Sequence, residues 1–143
     1  MPVTTKSVER PSSHDNCLLC GDTRFGLGLK FSAVSDSEVR TVLNSNRHHQ
    51  GYEGILHGGF VASLLDSAMC NALFHIGVEA VTGDMTIRFH EEIPYDCEVE
   101  LIGRIKSSRA PLFKVESELR RDGRIVASGS ARFVKRGMVV KAD

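Results

Sequence analysis

The sequence predicts an α+β fold in which an antiparallel sheet wraps around one long central helix. Two observations carry that expectation. Six segments alternate apolar and polar residues with a period of two, the pattern of strands that cover one face only. One segment, residues 58–76, has good helix formers, no proline and apolar residues nearly all round. A helix of that composition has to be surrounded, and the sheet is the only large element available to do it.

Each element has its own signal. Residues 1–15 are polar, contain Pro2 and Pro11, and read as a loose N-terminal tail. Residues 16–137 read as one folded domain and 138–143 as a short C-terminal tail. Leu27, Leu29, Phe31 and Ala33 alternate with Gly28, Lys30 and Ser32 as a first strand. After the turn residues Ser35-Asp36-Ser37, Val39, Thr41 and Leu43 make a second. Residues 44–58 are rich in Asn, His and Gly and read as a loop. The helix follows, with Gly77 as its stop. Four more strands come after it. Met85, Ile87 and Phe89 mark the third, and Val99, Leu101 and Ile105 the fourth. Phe113, Val115, Ser117 and Leu119 mark the fifth. A tight turn with Asp122-Gly123 at its centre leads into the sixth, where Ile125, Ala127, Gly129, Ala131 and Phe133 are expected to share a face.

Composition excludes several classes. The chain has 143 residues, enough for one domain with a real core. Its formal net charge is zero, which argues against a nucleic-acid partner. The longest apolar stretch, Phe60 to Ile76, is broken by Ser63, Asp66, Ser67, Asn71 and His75, so no membrane insertion is expected. The first residues lack the apolar core of a secretory signal. The expected location is therefore cytoplasmic, with the four cysteines reduced.

The helix carries one acid, Asp66. A buried carboxylate without a partner is costly, so Asp66 has to be at a surface, paired, or used. At about 100° per residue, Ser63, Asp66, Ser67, Cys70 and Asn71 fall on one arc of roughly 140°, about two turns in from the helix start.

The stretch Gly54-Ile55-Leu56-His57-Gly58-Gly59, with Asp66 seven residues after Gly59, resembles the G-x-x-H-G-G-x6-D pattern of hotdog-fold acyl-CoA thioesterases. The branch it resembles is the phenylacetate-pathway-like one of the 4-hydroxybenzoyl-CoA thioesterase superfamily. C-L-L-C-G at residues 17–21 and G-L-G-L at 26–29 are similar to a lead-in found in some members, and the likeness spans residues 17–136. It implies a hotdog fold and hydrolysis of an acyl-CoA thioester to a free acid and CoA. It also implies a homodimer or a homotetramer built as a dimer of dimers, with no cofactor. By the same resemblance Asp66 is the catalytic carboxylate, acting as base or nucleophile, and Gly58 is the matched glycine. His57 would position the loop or substrate, and Thr82 would hold the water. Gln50 stands beside Gly51, where members often carry Asn.

The chemistry is physically reasonable. The first N–H groups of a helix have no partner inside it and carry partial positive charge. Gly58 and Gly59 let a carbonyl approach those amides, and an oxyanion donor is worth roughly 3–4 kcal/mol in other enzymes. Arg88, Arg104, Lys106, Arg109 and Lys114 are the candidate cations for the phosphates of CoA. Cys17 and Cys20, with His14 at the same spacing, fall short of four metal ligands, so no metal is expected and the pair reads as small buried thiols. His48 and His49 read as a polar loop pair, and Cys70 as a thiol of the helix core. Two other functions fit the fold: a non-catalytic acyl-CoA binder or sensor, and a hydratase acting on the acyl chain.

Overall fold

A computed structural model describes residues 5–137. Seven strands form one antiparallel sheet. They are β1 (Lys6–Ser7), β2 (Ser32–Ala33), β3 (Glu38–Asn44), β4 (Ala80–Phe89), β5 (Glu98–Arg109), β6 (Leu112–Arg121) and β7 (Arg124–Lys135). The spatial order is β1-β2-β3-β5-β6-β7-β4, so β4, the first strand after the helix, forms an edge. The single long helix α1 (Gly58–His75) packs against all five long strands. Five strands span roughly 19 Å and a helix with its side chains only about 10–12 Å, so contact with all five requires the sheet to curve around it.

Both ends of α1 are set locally. His57 caps the start: its Nδ1 accepts the Gly59 N–H at 2.8 Å. At the other end the N–H of Val78 bonds to Leu73 O and that of Gly77 to Phe74 O, both at 2.9 Å. Gly77 takes φ 76° there, the left-handed residue of a Schellman stop. The β6–β7 turn likewise has positive φ at Asp122 and Gly123, the primed geometry that matches the twist of a hairpin.

Leu64, Leu65, Ala68, Met69 and Leu73 of α1 meet Val99, Leu101, Val115, Leu119 and Phe133 in one core. Full burial of such side chains contributes roughly 1.5–3 kcal/mol each. Gly103 of β5 lies directly under the helix backbone: a Cβ there would sit 2.3 Å from Ala68 O. On the opposite face of the sheet, Ile102 is fully buried as well. By register it lies among Arg40, Glu100, Arg104 and Glu118, whose charged heads pair over it.

Three bulges change the parity that the alternation implies. One is at Val126 of β7, which is skipped as the pairing passes from Leu119 with Ala127 to Arg120 with Ile125. Val126 is buried and Ile125, on the other side of it, is 43% exposed, so Ile125 does not share the face of Ala127, Gly129, Ala131 and Phe133. A second lies between Ile105 and Ser107. The third, at Gly83, matters most for function. It interrupts the β4–β7 register between Thr82 and Asp84. Unbroken alternation would put Thr82 on the outer face with Asp84, Thr86 and Arg88. The extra residue returns it to the helix side, with Ala80, Met85 and Ile87.

The N-terminal segment also differs from expectation. Residues 5–15 are not a free tail: Lys6–Ser7 pair with Ser32–Ala33, and Ser12–His14 form a 3-10 turn. Ser13 Oγ then donates to Glu79 at 2.6 Å, just ahead of β4. The polar segment thus runs from one edge of the sheet to the other across α1. The expected first strand is short for a related reason. Leu27 and Leu29 give their N–H groups to Leu18 and Leu19, just after this segment, and only Ser32–Ala33 join the ladder. Residues 138–143, expected as a C-terminal tail, lie outside the described residues.

Candidate active site

Asp66 is half-buried on α1 and Thr82 is exposed on β4. Thr82 Oγ1 donates to Asp66 Oδ1 at 2.5 Å. The acid is therefore paired with a neutral donor and keeps its second oxygen for other work. No charged partner holds it among the described residues. Asp66 faces the edge strand β4, whose residues on the helix side, Met85 and Ile87, are only half-buried.

The helix N-terminus lies at the far end of β4, where the Phe89 ring comes within contact distance of a Cβ placed on Gly58. Gly59 does not offer a free amide, contrary to expectation, because His57 Nδ1 takes it. A Cβ on Gly59 would stand 3.1 Å from that ring, so the second glycine makes room for the cap. The N–H of Gly58 has no partner among the described residues. His57 is thereby a positioning residue: Nδ1 is an acceptor and the ring's only donor is Nε2.

The preceding loop braces this corner. His57 N–H bonds to His49 O at 2.8 Å, and the His49 ring stacks on Phe60 with centroids 4.1 Å apart. Burial, then the neighbouring His48, hold His49 below the usual imidazole range, so it is neutral at pH 7. His49 is thus a structural part of the helix entrance, which sequence reasoning missed. The signal was there as the Asn46…His49 capping spacing, since the two side chains bond each other's backbones. Gln50 Oε1 accepts the Gly54 N–H at 3.1 Å and so serves the loop's own turn. A cleft of about 320 Å³ opens beside the helix start, lined by Ile55, Leu56, Val61, Phe89 and Ile93 together with the acids Glu91 and Glu92.

The five candidate cations are not gathered at Asp66. Arg88, Arg104, Lys106 and Lys114 occupy outer-face positions of the sheet, across its thickness from the helix, and Arg109 ends β5. Arg104 is held between Glu38, at 2.5 Å, and Glu118. Lys106 stands 3.9 Å from Glu116. Arg88, Arg109 and Lys114 make no ion pair among the described residues.

A sheet wrapped around one helix, with an acid on the helix facing the edge strand, is the hotdog arrangement. The chain belongs to the thioesterase superfamily, whose family model matches residues 53–128. A curated relative, MIOREX complex component 3 of Saccharomyces cerevisiae, is 26% identical over 79% of this chain, which spans 45% of that protein. Among solved structures, a thioesterase superfamily protein is 26% identical with a TM-score of 0.73, over 78% of this chain and 55% of that one. A hypothetical thioesterase of Streptococcus pneumoniae, solved with coenzyme A, is 17% identical with a TM-score of 0.71, over 76% of this chain and 89% of its own. The chain therefore spans about half the length of the first relatives it matches. No helix among the described residues is long and apolar enough to cross a membrane.

Proposed function

We propose that the chain hydrolyses an acyl-CoA thioester to the free acid and CoA, in a site shared between two copies. The Asp66–Thr82 pair facing the edge strand is the observation that carries this reading. Thr82 fixes one carboxylate oxygen. The other takes a proton from water, or attacks the thioester carbon itself, and the CoA thiolate leaves. The Gly58 N–H receives the oxyanion, with His57 holding the helix start in place.

The geometry supports a site shared between two copies. Gly58 and Asp66 are eight residues apart on one helix, about 12 Å along its axis. One carbonyl carbon cannot be within about 3 Å of both. Pairing two β4 edges would bring Asp66 of one copy towards the helix start of the other and would cover the open strand. We therefore propose a homodimer or a dimer of dimers. Arg88, Arg109 and Lys114 remain the cations we assign to the CoA phosphates, while Arg104 is already spent on two glutamates. The cytoplasm is the compartment we assign, on the four free thiols.

Release of free thiol from a panel of acyl-CoAs tests the reading. Turnover that disappears in Asp66→Asn, with circular dichroism unchanged, supports it. No turnover on any substrate, or full turnover in Asp66→Asn, overturns it. A non-catalytic acyl-CoA binder is the second reading, favoured by a relative named as a component of a complex. Calorimetric binding of acyl-CoA without hydrolysis would select it.

A further inference from the structure

The N-terminal segment carries a cluster that thioester chemistry does not use. His14, Cys17 and Cys20 bring one ligand atom each within 4.8 Å of one another, the one such group of three among the described residues. We propose that these residues bind a zinc ion through the His14 imidazole and two thiolates, fastening the N-terminal segment to the helix.

The local geometry is that of a metal-binding knuckle. The Leu19 N–H points at Cys17 Sγ, at 3.4 Å, and the Gly21 N–H returns to Cys17 O at 2.9 Å. This tight return requires glycine directly after the second cysteine. A Cβ on Gly21 would lie 2.4 Å from Cys17 N, 2.6 Å from Cys17 O and 2.7 Å from Asp15 O, all backbone atoms that cannot move aside. The knuckle presents both sulfurs to one point, and His14 Nδ1 stands 3.5 Å from Cys20 Sγ. A tetrahedral zinc, with Zn–N about 2.05 Å and Zn–S about 2.3 Å, separates such a pair by about 3.6 Å. That pair is already at coordinating separation, and the third ligand atom lies within 4.8 Å of both.

The surroundings hold these ligands in place. The His14 ring packs edge-on against Phe74 of α1, centroids 4.7 Å apart. Two thiolates and one neutral imidazole cancel the charge of a divalent ion, which suits a half-buried site, and this donor set selects zinc over magnesium or calcium. Water completes the fourth position on the side where His14 and Cys17 are partly exposed. The expectation of no metal rested on counting four protein ligands in the sequence, and a three-ligand site escapes that count.

The test uses the whole wild-type chain and needs no turnover, so it stands apart from the thioesterase reading. The protein is purified under reducing conditions, stripped with a chelator and titrated with cobalt chloride. One equivalent per chain should produce a thiolate-to-cobalt charge-transfer band and the visible bands of four-coordinate cobalt. Zinc chloride should abolish both and raise the thermal midpoint. Cys20→Ser should lose most of the charge-transfer intensity. Folded wild-type protein that develops no charge-transfer band overturns the proposal, as does a band unchanged in Cys20→Ser.

Discussion

Gly103→Ala is the sharpest perturbation the fold offers, because it adds one methyl group where strand and helix backbones touch. The new carbon would lie 2.3 Å from Ala68 O and 2.7 Å from Ala68 C. Ordinary contact begins near 3.4 Å, so β5 and α1 have to part by about 1 Å. Neither can yield easily, since Leu65, Met69 and Leu101 are fully buried around the contact. Overpacking costs about 1–3 kcal/mol in general, and a backbone-on-backbone clash belongs at the top of that range. For a domain of this size, a loss of about 3 kcal/mol lowers the thermal midpoint by roughly 10 °C. Asp66 lies two residues before Ala68 and moves with it. A shift of about 1 Å at a catalytic group costs on the order of 100-fold in rate. Urea denaturation at fixed protein concentration and thiol release from acyl-CoA measure the two effects. Gly129→Ala is the control. Its Cβ would meet Ile87 Cδ1 at 3.0 Å and Ser117 Oγ at 3.1 Å, both side-chain ends that can turn away, so the loss should stay under about 1 kcal/mol. Equal effects for the two variants, or a Gly103→Ala protein as stable and active as wild type, would refute the reasoning.

Thr82→Val keeps the shape and the strand propensity and removes only the donor to Asp66. A hydrogen bond to a charged group is worth about 1.5–3 kcal/mol, so turnover should fall roughly 10- to 100-fold and the thermal midpoint by no more than about 10 °C. Unchanged turnover would mean that the pair has no catalytic role. Acid stability follows from Glu38 and Glu118. Burial opposes their ionisation, but Arg104, Arg40 and Arg120 outweigh it and hold both below the ordinary 4.5. A depressed carboxylate stabilises the fold above its unfolded-state pKa and loses that contribution as pH falls through the folded one. The thermal midpoint should therefore decline below about pH 4.5, and Glu118→Gln should decline less steeply. Parallel acid limbs in the two proteins would contradict this.

Much of this was legible because it is local. The helix announces itself by composition, and Gly77 stops it one residue earlier than expected, after His75. Asp66 stands out as the one acid in an apolar helix, and the structure gives it a partner and faces it towards a strand edge. What was hidden depends on hydrogen bonds between distant segments. Alternation alone puts Thr82 on the wrong face, since only the pairing of β4 with β7 shows that Gly83 is an extra residue. The burial of Val126 in place of Ile125 has the same cause, a bulge at Val126 of β7 that only its pairing with β6 reveals. The capture of the Gly59 amide by His57 was missed for a subtler reason: a histidine is a rare cap, and the serine, threonine, aspartate and asparagine caps that sequence rules favour are absent there.

The N-terminal segment bears on where this domain begins. Composition puts the boundary at residue 16, and a chain trimmed there would keep every residue of the family match. It would also lose β1, the Ser13–Glu79 bond and the His14 ring on Phe74. Phe74, buried near the end of α1, has that ring edge-on against it. Part of its cover is borrowed from a segment that looks expendable. Cutting residues 5–15 away would open that end of the helix to water.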